Sequence, residues 1–183
     1  MLSKRFMTIM METSHKVKNL DSFLRANGGH LHPDIAIAEN ESAGLHWRAK
    51  KDIEPGTTII SASHSLAFSY LNALVDEEWP VFKNYRERFR PDLAVEAITF
   101  FYFMIQYQNR ERSYWRPYLN ALPGPEEEHT QPLFFEDERD RAWLELTDVW
   151  HTNLKRTERY RQMYEDGKEV LRKAACDESY LTW

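Results

Sequence analysis

With 183 residues, 42% of them hydrophobic and 14% aromatic, the chain is too apolar to be disordered and long enough to bury a core without disulfides or a metal. Its Lys+Arg 24 against Asp+Glu 29 leaves a net charge of −5, which argues against a general binder of nucleic acid or anionic membranes. The single cysteine, Cys176, rules out an internal disulfide and a multi-cysteine zinc site, and it points to a reducing, intracellular location in cytoplasm or nucleus.

The first 18 residues carry Lys4, Arg5, Lys16 and Lys18 against Glu12 alone, and read as a flexible basic tail. Asp21 then offers a cap for a short helix through Leu20, Phe23 and Leu24. Gly28-Gly29 ends that helix, because glycine takes the left-handed conformation cheaply at C′. Asp34-Ile35-Ala36-Ile37-Ala38 alternates and predicts a strand, and Leu45 to Ala49 a second. Glu54-Pro55-Gly56 is a turn, and the β-branched run Thr57 to Ser61 predicts a third strand.

From Ser65 the apolar period lengthens to between three and four. Ser65 is placed as the cap of a helix presenting Leu66, Tyr70, Leu71 and Leu74. Pro91-Asp92 opens a helix from Leu93 to about Tyr107 that is apolar almost all round, and therefore the most buried one. The run Ile98 to Ile105 within it falls short of the roughly 18–20 apolar residues of a membrane helix, so no membrane partner is expected. Ser113 to Leu122 is a short aromatic element, with Trp115, Pro117, Tyr118 and Leu122 expected to pack between helices. Pro123-Gly124-Pro125 leads into an acidic loop, Glu126-Glu127-Glu128. A long helix is predicted from about Asp137 to Ala175, with Gly167 as a break. Its polar face, Lys155, Arg156, Arg159, Arg161, Lys168, Arg172 and Lys173, is read as solvated rather than as a nucleic-acid surface.

Side chains with catalytic potential are scattered. There is no P-loop, no G-x-G-x-x-G, no H-E-x-x-H and no G-x-S-x-G. His30 and His32 lack a third ligand nearby in sequence, so no metal is assigned. His46, His64, His129 and His151 stand alone. Nothing in the sequence around Cys176 lowers a thiol pKa, and acids such as Asp137 and Glu138 suit a helix start.

Two stretches say more together. The first runs Ala43-Gly44-Leu45-His46-Trp47-Arg48-Ala49-Lys50-Lys51-Asp52-Ile53-Glu54-Pro55-Gly56. The second is Ser113-x-Trp115-x-Pro117-Tyr118-Leu119-x-x-Leu122-Pro123, followed by Pro132-Leu133-Phe134-Phe135. In order and spacing the chain resembles SET-domain methyltransferases of the Rubisco large-subunit methyltransferase type, which include protein-lysine and actin-histidine enzymes. Asn27-Gly28-Gly29 matches the usual start of that family, and the likeness spans about residues 20 to 183. It implies an α+β, predominantly helical fold: a basic tail over 1–18, N-terminal SET strands over 19–64 with the β portion at about 34–61, and a helical insertion over 65–183.

The resemblance also implies S-adenosylmethionine as cofactor, with Ala43, Gly44 and Leu45 contacting it. A glycine turn lets main-chain groups approach the methionine end of that molecule without a side chain in the way. His46 stands where the family has a second glycine, and Trp47 where it has leucine. The family's Asn-His motif is missing from these residues, and no tyrosine occupies the place of its catalytic one. Tyr180-Leu181-Thr182-Trp183 resembles a segment that precedes the second half of that catalytic domain. The expectation is therefore the N-terminal half of a SET domain, inactive alone, with no catalytic residue to name. The parent activity would be methyl transfer to a lysine or histidine of a protein substrate. The alternative is a non-catalytic helical module that binds a protein partner.

Overall fold

The computed structural model describes residues 4–40, 44–123, 142–177 and 179. The chain has an α+β fold with small antiparallel sheets, and it divides into two compact units. One combines Met1–Phe68 with Arg110–Leu122, and the other combines Ser69–Asn109 with Pro123–Trp183. The expected border at 64/65 thus lies near 68/69. The aromatic element that sequence reasoning places in the helical insertion belongs instead with the N-terminal strands.

The first unit opens with helix α1, Lys4–Ala26. Where the sequence predicts a tail followed by a short helix, one helix runs through both. No Gly or Pro interrupts the chain before Asn27, and Asp21 lies inside the helix, paired with Arg25 at 3.0 Å rather than capping. The helix ends where the glycines predict. Gly28 has φ +78, its N–H donates to the Arg25 carbonyl at 3.2 Å, and the Gly29 N–H donates to Leu24 at 2.8 Å. This is a Schellman closure, which satisfies carbonyls the helix leaves open. Space around a Cβ at Gly28 is free, so only its backbone conformation demands glycine. Gly28→Ala is expected to destabilise this unit by about 1–2 kcal/mol, the penalty of a left-handed non-glycine residue, read as a lower urea midpoint.

Among the described residues four strands follow: β1 His30–Leu31, β2 Ile35–Asn40, β3 Gly44–Ala49 and β4 Ile60–Ser61. β1 pairs antiparallel with β4, and β2 with β3, as two separate two-stranded sheets. The β-branched run at 57–61 contributes only its last two residues to a strand. A 3-10 turn covers His64–Leu66, and α5, Arg116–Leu119, returns to pack on α1. The buried apolar residues of this unit are few among those described: Leu31, Ile35, Trp115 and Leu119.

The second unit holds α2 Tyr70–Val75, α3 Val81–Asn84, a 3-10 turn Arg86–Arg88, α4 Ala94–Gln108 and α6 Asp148–Lys173. Ser69, not Ser65, caps α2. Its side chain and that of Asn72 form a reciprocal capping box, whereas Ser65 bonds the Ser63 hydroxyl. The helix predicted from Leu93 to Tyr107 is α4, within one residue at each end. It buries Ala97, Ile98, Phe101, Tyr102, Ile105 and Gln106 but leaves Val95 51% and Phe100 43% exposed, so it is one-sided rather than buried all round. Of the helix predicted from about Asp137, residues 137–141 lie outside the described ones and 142–144 are helical, but the helix is interrupted at Leu146 and α6 starts afresh at Asp148. Leu146 has φ +66, and the Thr147 hydroxyl caps the helix by accepting from the Trp150 N–H at 3.3 Å. Gly167 does not break α6. It is buried at the place where the helix meets Phe101 of α4.

Candidate functional site

The Gly44 turn is the first candidate. β2 and β3 pair in register from Ile35↔Ala49 to Asn40↔Gly44, so the ladder ends at Gly44, one of the residues that the methyltransferase resemblance singles out. Gly44 has φ +57, a conformation that glycine adopts without strain. Among the described residues nothing lies within 4 Å of where its Cβ would be, which leaves room on that side of the strand end. Leu45 is half-buried opposite Glu39. Ala43 lies outside the described residues.

His46 sits on β3 across from Ala38, and its ring folds back on the turn. Nδ1 lies 3.0 Å from the Gly44 carbonyl oxygen. A carbonyl only accepts, so Nδ1 carries the proton and donates. This contact occupies an acceptor lobe at the glycine itself, and nothing in the sequence pattern announces it. Trp47 faces Ile37 in the register and is 48% exposed.

The second motif is structural. Trp115 is buried, with Phe68 at 5.0 Å, Tyr114 at 5.2 Å and Phe23 at 6.2 Å between ring centroids, all in edge-to-face geometry. The Ser113 hydroxyl accepts from the Trp115 N–H at 3.0 Å, and Pro117 sits in the first turn of α5, where its missing N–H costs nothing. Tyr114 Oη donates to Asn27 Oδ1 at 2.6 Å, which ties this motif to the Asn27-Gly28-Gly29 helix end. Pro132 to Phe135 lie outside the described residues, as do Gly124-Pro125, the acidic loop, His129, Asp137, Glu138 and Tyr180 to Trp183.

The remaining candidates do not converge. His32 Nδ1 accepts from the Asp34 N–H at 3.1 Å, and His30 is exposed on β1. Among the described residues no group of three or more His, Cys, Asp or Glu is arranged to hold a metal. Burial, reinforced by the Asp177 charge, pushes the Cys176 thiol above its ordinary range, away from nucleophilic thiolate. No helix among the described residues is long and apolar enough to cross a membrane.

Four cations of the basic face of α6 are paired with carboxylates. Arg159 meets Glu96 at 2.7 Å, Arg161 meets Glu158 at 3.4 Å, and Glu169 pairs with both Arg172 and Lys173. Near its edge the Arg90 guanidinium, hydrogen-bonded to Asp92 at 2.9 Å, holds that carboxyl below the usual carboxylate range.

Two features of the helical unit escape sequence reasoning. Asp76, at the end of α2, accepts from Tyr102 Oη at 2.7 Å and Gln106 Nε2 at 3.2 Å, so α2 is fixed to α4 through polar groups. The signal for it is an amide, Gln106, four residues after Tyr102 in an apolar helix. The other is an apolar groove of about 310 Å³ lined by Phe100, Phe101, Phe103, Met104, Tyr160, Met163 and Tyr164.

No protein-family model, curated protein or solved structure matches this chain.

Proposed function

We propose that this chain supplies the cofactor-turn portion of a SET-type protein methyltransferase, which transfers methyl groups from S-adenosylmethionine to a protein lysine or histidine. One observation carries this reading. Of the segments with the family pattern, 27–29, 43–57 and 113–122 are far apart in sequence and fall in one compact unit, whereas Pro123 falls in the other and Pro132 to Phe135 lie outside the described residues. The Tyr114–Asn27 hydrogen bond joins the first directly to the third.

The cofactor would lie on the open side of the Gly44 turn, where among the described residues no atom stands within 4 Å of the Cβ position. Gly44 and Leu45 would hold its methionine end through main-chain groups, with Ala43 beside them by resemblance. When bound, the sulfonium supplies an electrophilic methyl group. The chain's own part is to bind and to shield, and no residue here is assigned to the chemical step. The family's Asn-His motif and catalytic tyrosine have no counterpart in this sequence, so the chain alone is expected to be inactive.

Titration with S-adenosylmethionine, followed by amide resonances, tests this. Saturable shifts are expected at Gly44, Leu45 and His46. They should vanish in Gly44→Val, because a β-branched residue does not tolerate this φ. No shift up to about 1 mM, an affinity of about 4 kcal/mol, overturns the proposal. A second reading would then stand: a non-catalytic protein-interaction module, favoured by the apolar groove beside Phe100 and Tyr160.

A further inference from the structure

α3 and the 3-10 turn Arg86–Arg88 are consecutive, and each is anchored by one phenylalanine. Phe82 is fully buried and Phe89 nearly so. With both anchors inside, the residues between them are pushed outward. Lys83, Arg86 and Arg88 thereby line one hollow of about 550 Å³ with Leu74, Asn84 and Glu87.

The charge of this hollow is unlike that of the α6 face. There Arg159, Arg161, Arg172 and Lys173 have carboxylate partners at Glu96, Glu158 and Glu169. No ion pair engages Lys83, Arg86 or Arg88 among the described residues. Glu87 is the single acid in the lining, so the hollow is net positive on a chain of net charge −5. Arg88 is also held in place, with its guanidinium 5.3 Å from the centroid of the Tyr85 ring. A cation stacked in this way loses less freedom when it binds an anion.

We propose that this hollow docks an acidic peptide segment of a protein partner, independently of any cofactor bound at Gly44. Lys83, Arg86 and Arg88 face its carboxylates, Leu74 takes an apolar side chain, and the Asn84 amide pairs with its main chain. The mixture of cations with an apolar wall and an amide suits a peptide rather than a bare anion. The chain's overall negative charge opposes a long polyanion such as a nucleic acid.

The experiment is fluorescence anisotropy of the full chain with a labelled ten-residue peptide of glutamates and leucines, at low and at physiological salt. Binding that weakens as salt rises is expected. The triple variant Lys83→Glu, Arg86→Glu, Arg88→Glu should lower affinity by about tenfold or more, as the loss of three exposed pairs implies. The pair Lys155→Glu, Arg156→Glu on α6 should leave it unchanged, and thermal melting should show both variants folded. Three outcomes overturn the proposal: no binding at low salt, equal losses in the two variants, or tighter binding of a phosphopeptide or single-stranded RNA of matched length. If the triple variant fails to melt cooperatively, peptide-induced shifts of the Asn84 amide in the natural chain decide the matter instead, and their absence overturns it.

Discussion

Gly167→Ala is expected to destabilise the helical unit by about 1–3 kcal/mol, the range for overfilling a packed core. The sign is the informative part. In an exposed helix interior the same change stabilises by about 1 kcal/mol, because alanine has less backbone entropy to lose. Gly167 lies well inside the 26-residue helix α6, so helix propensity alone predicts a gain. Packing opposes it: a Cβ there would stand 2.9 Å from Phe101 Cδ2 and Cζ, and nearer still to Cε2. The ring cannot step aside easily, since it is 2% exposed and stacked on Tyr164 at 5.9 Å between centroids. Urea denaturation of Gly167→Ala, Phe101→Leu and the double variant closes a cycle. The alanine should be better tolerated opposite leucine than opposite phenylalanine, with a coupling of about 0.5–3 kcal/mol. A rise in stability for Gly167→Ala alone would mean that α4 and α6 do not approach each other at this glycine.

What could be read from the sequence followed the strength of local signals. α4 was legible almost to the residue, because a long apolar run between Asp92 and Asn109 leaves one reading. The hairpin was legible from its alternation at Ile35 and Ile37 and from Gly44, whose φ of +57 shows why glycine stands there. The end of α1 was legible because Gly28-Gly29 can close a helix in only a few ways. Its start was not, since a basic, glycine-free segment reads equally well as tail or helix.

The interruption before α6 was hidden in the same manner. Nothing in Leu146 announces a left-handed residue, and the Thr147 cap competes with several polar neighbours. The choice between Ser65 and Ser69 turned on an asparagine three places on, and Asn72 favours Ser69. Least legible was the return of Ser113 to Leu122 to the N-terminal unit, because contacts between distant segments leave no period in either one. The candidate site was half legible. The glycine was found by motif, whereas the His46 bond to the Gly44 carbonyl depends on the pleat of β3 and on a side-chain rotation that no spacing encodes.

That return of the second motif makes Trp115 the residue on which the N-terminal unit should depend most. Trp115→Ala is expected to cost about 3–5 kcal/mol, as truncating a buried tryptophan does. A whole small domain is stable by only about 5–15 kcal/mol. Among the described residues this unit buries just three other apolar side chains, Leu31, Ile35 and Leu119. Its sheets cannot compensate, since each has two strands, and an isolated pair is marginal in water. Amide exchange at His32 and Ile35, whose N–H groups donate to the Ile59 and His32 carbonyls at 2.9 Å, should therefore lose its protection in Trp115→Ala. Trp115→Phe keeps a ring that can meet Phe68 edge-on, and should retain part of that protection. Tyr114→Phe removes only the hydrogen bond to Asn27, and should cost about 1 kcal/mol. The order Ala, then Phe at 115, then Phe at 114 follows from how much buried surface each change removes. If Trp115→Ala left strand protection intact, the aromatic cluster would not be what holds 110–122 in the N-terminal unit. The support for a cofactor turn, which rests on those segments sharing one unit, would fall with it.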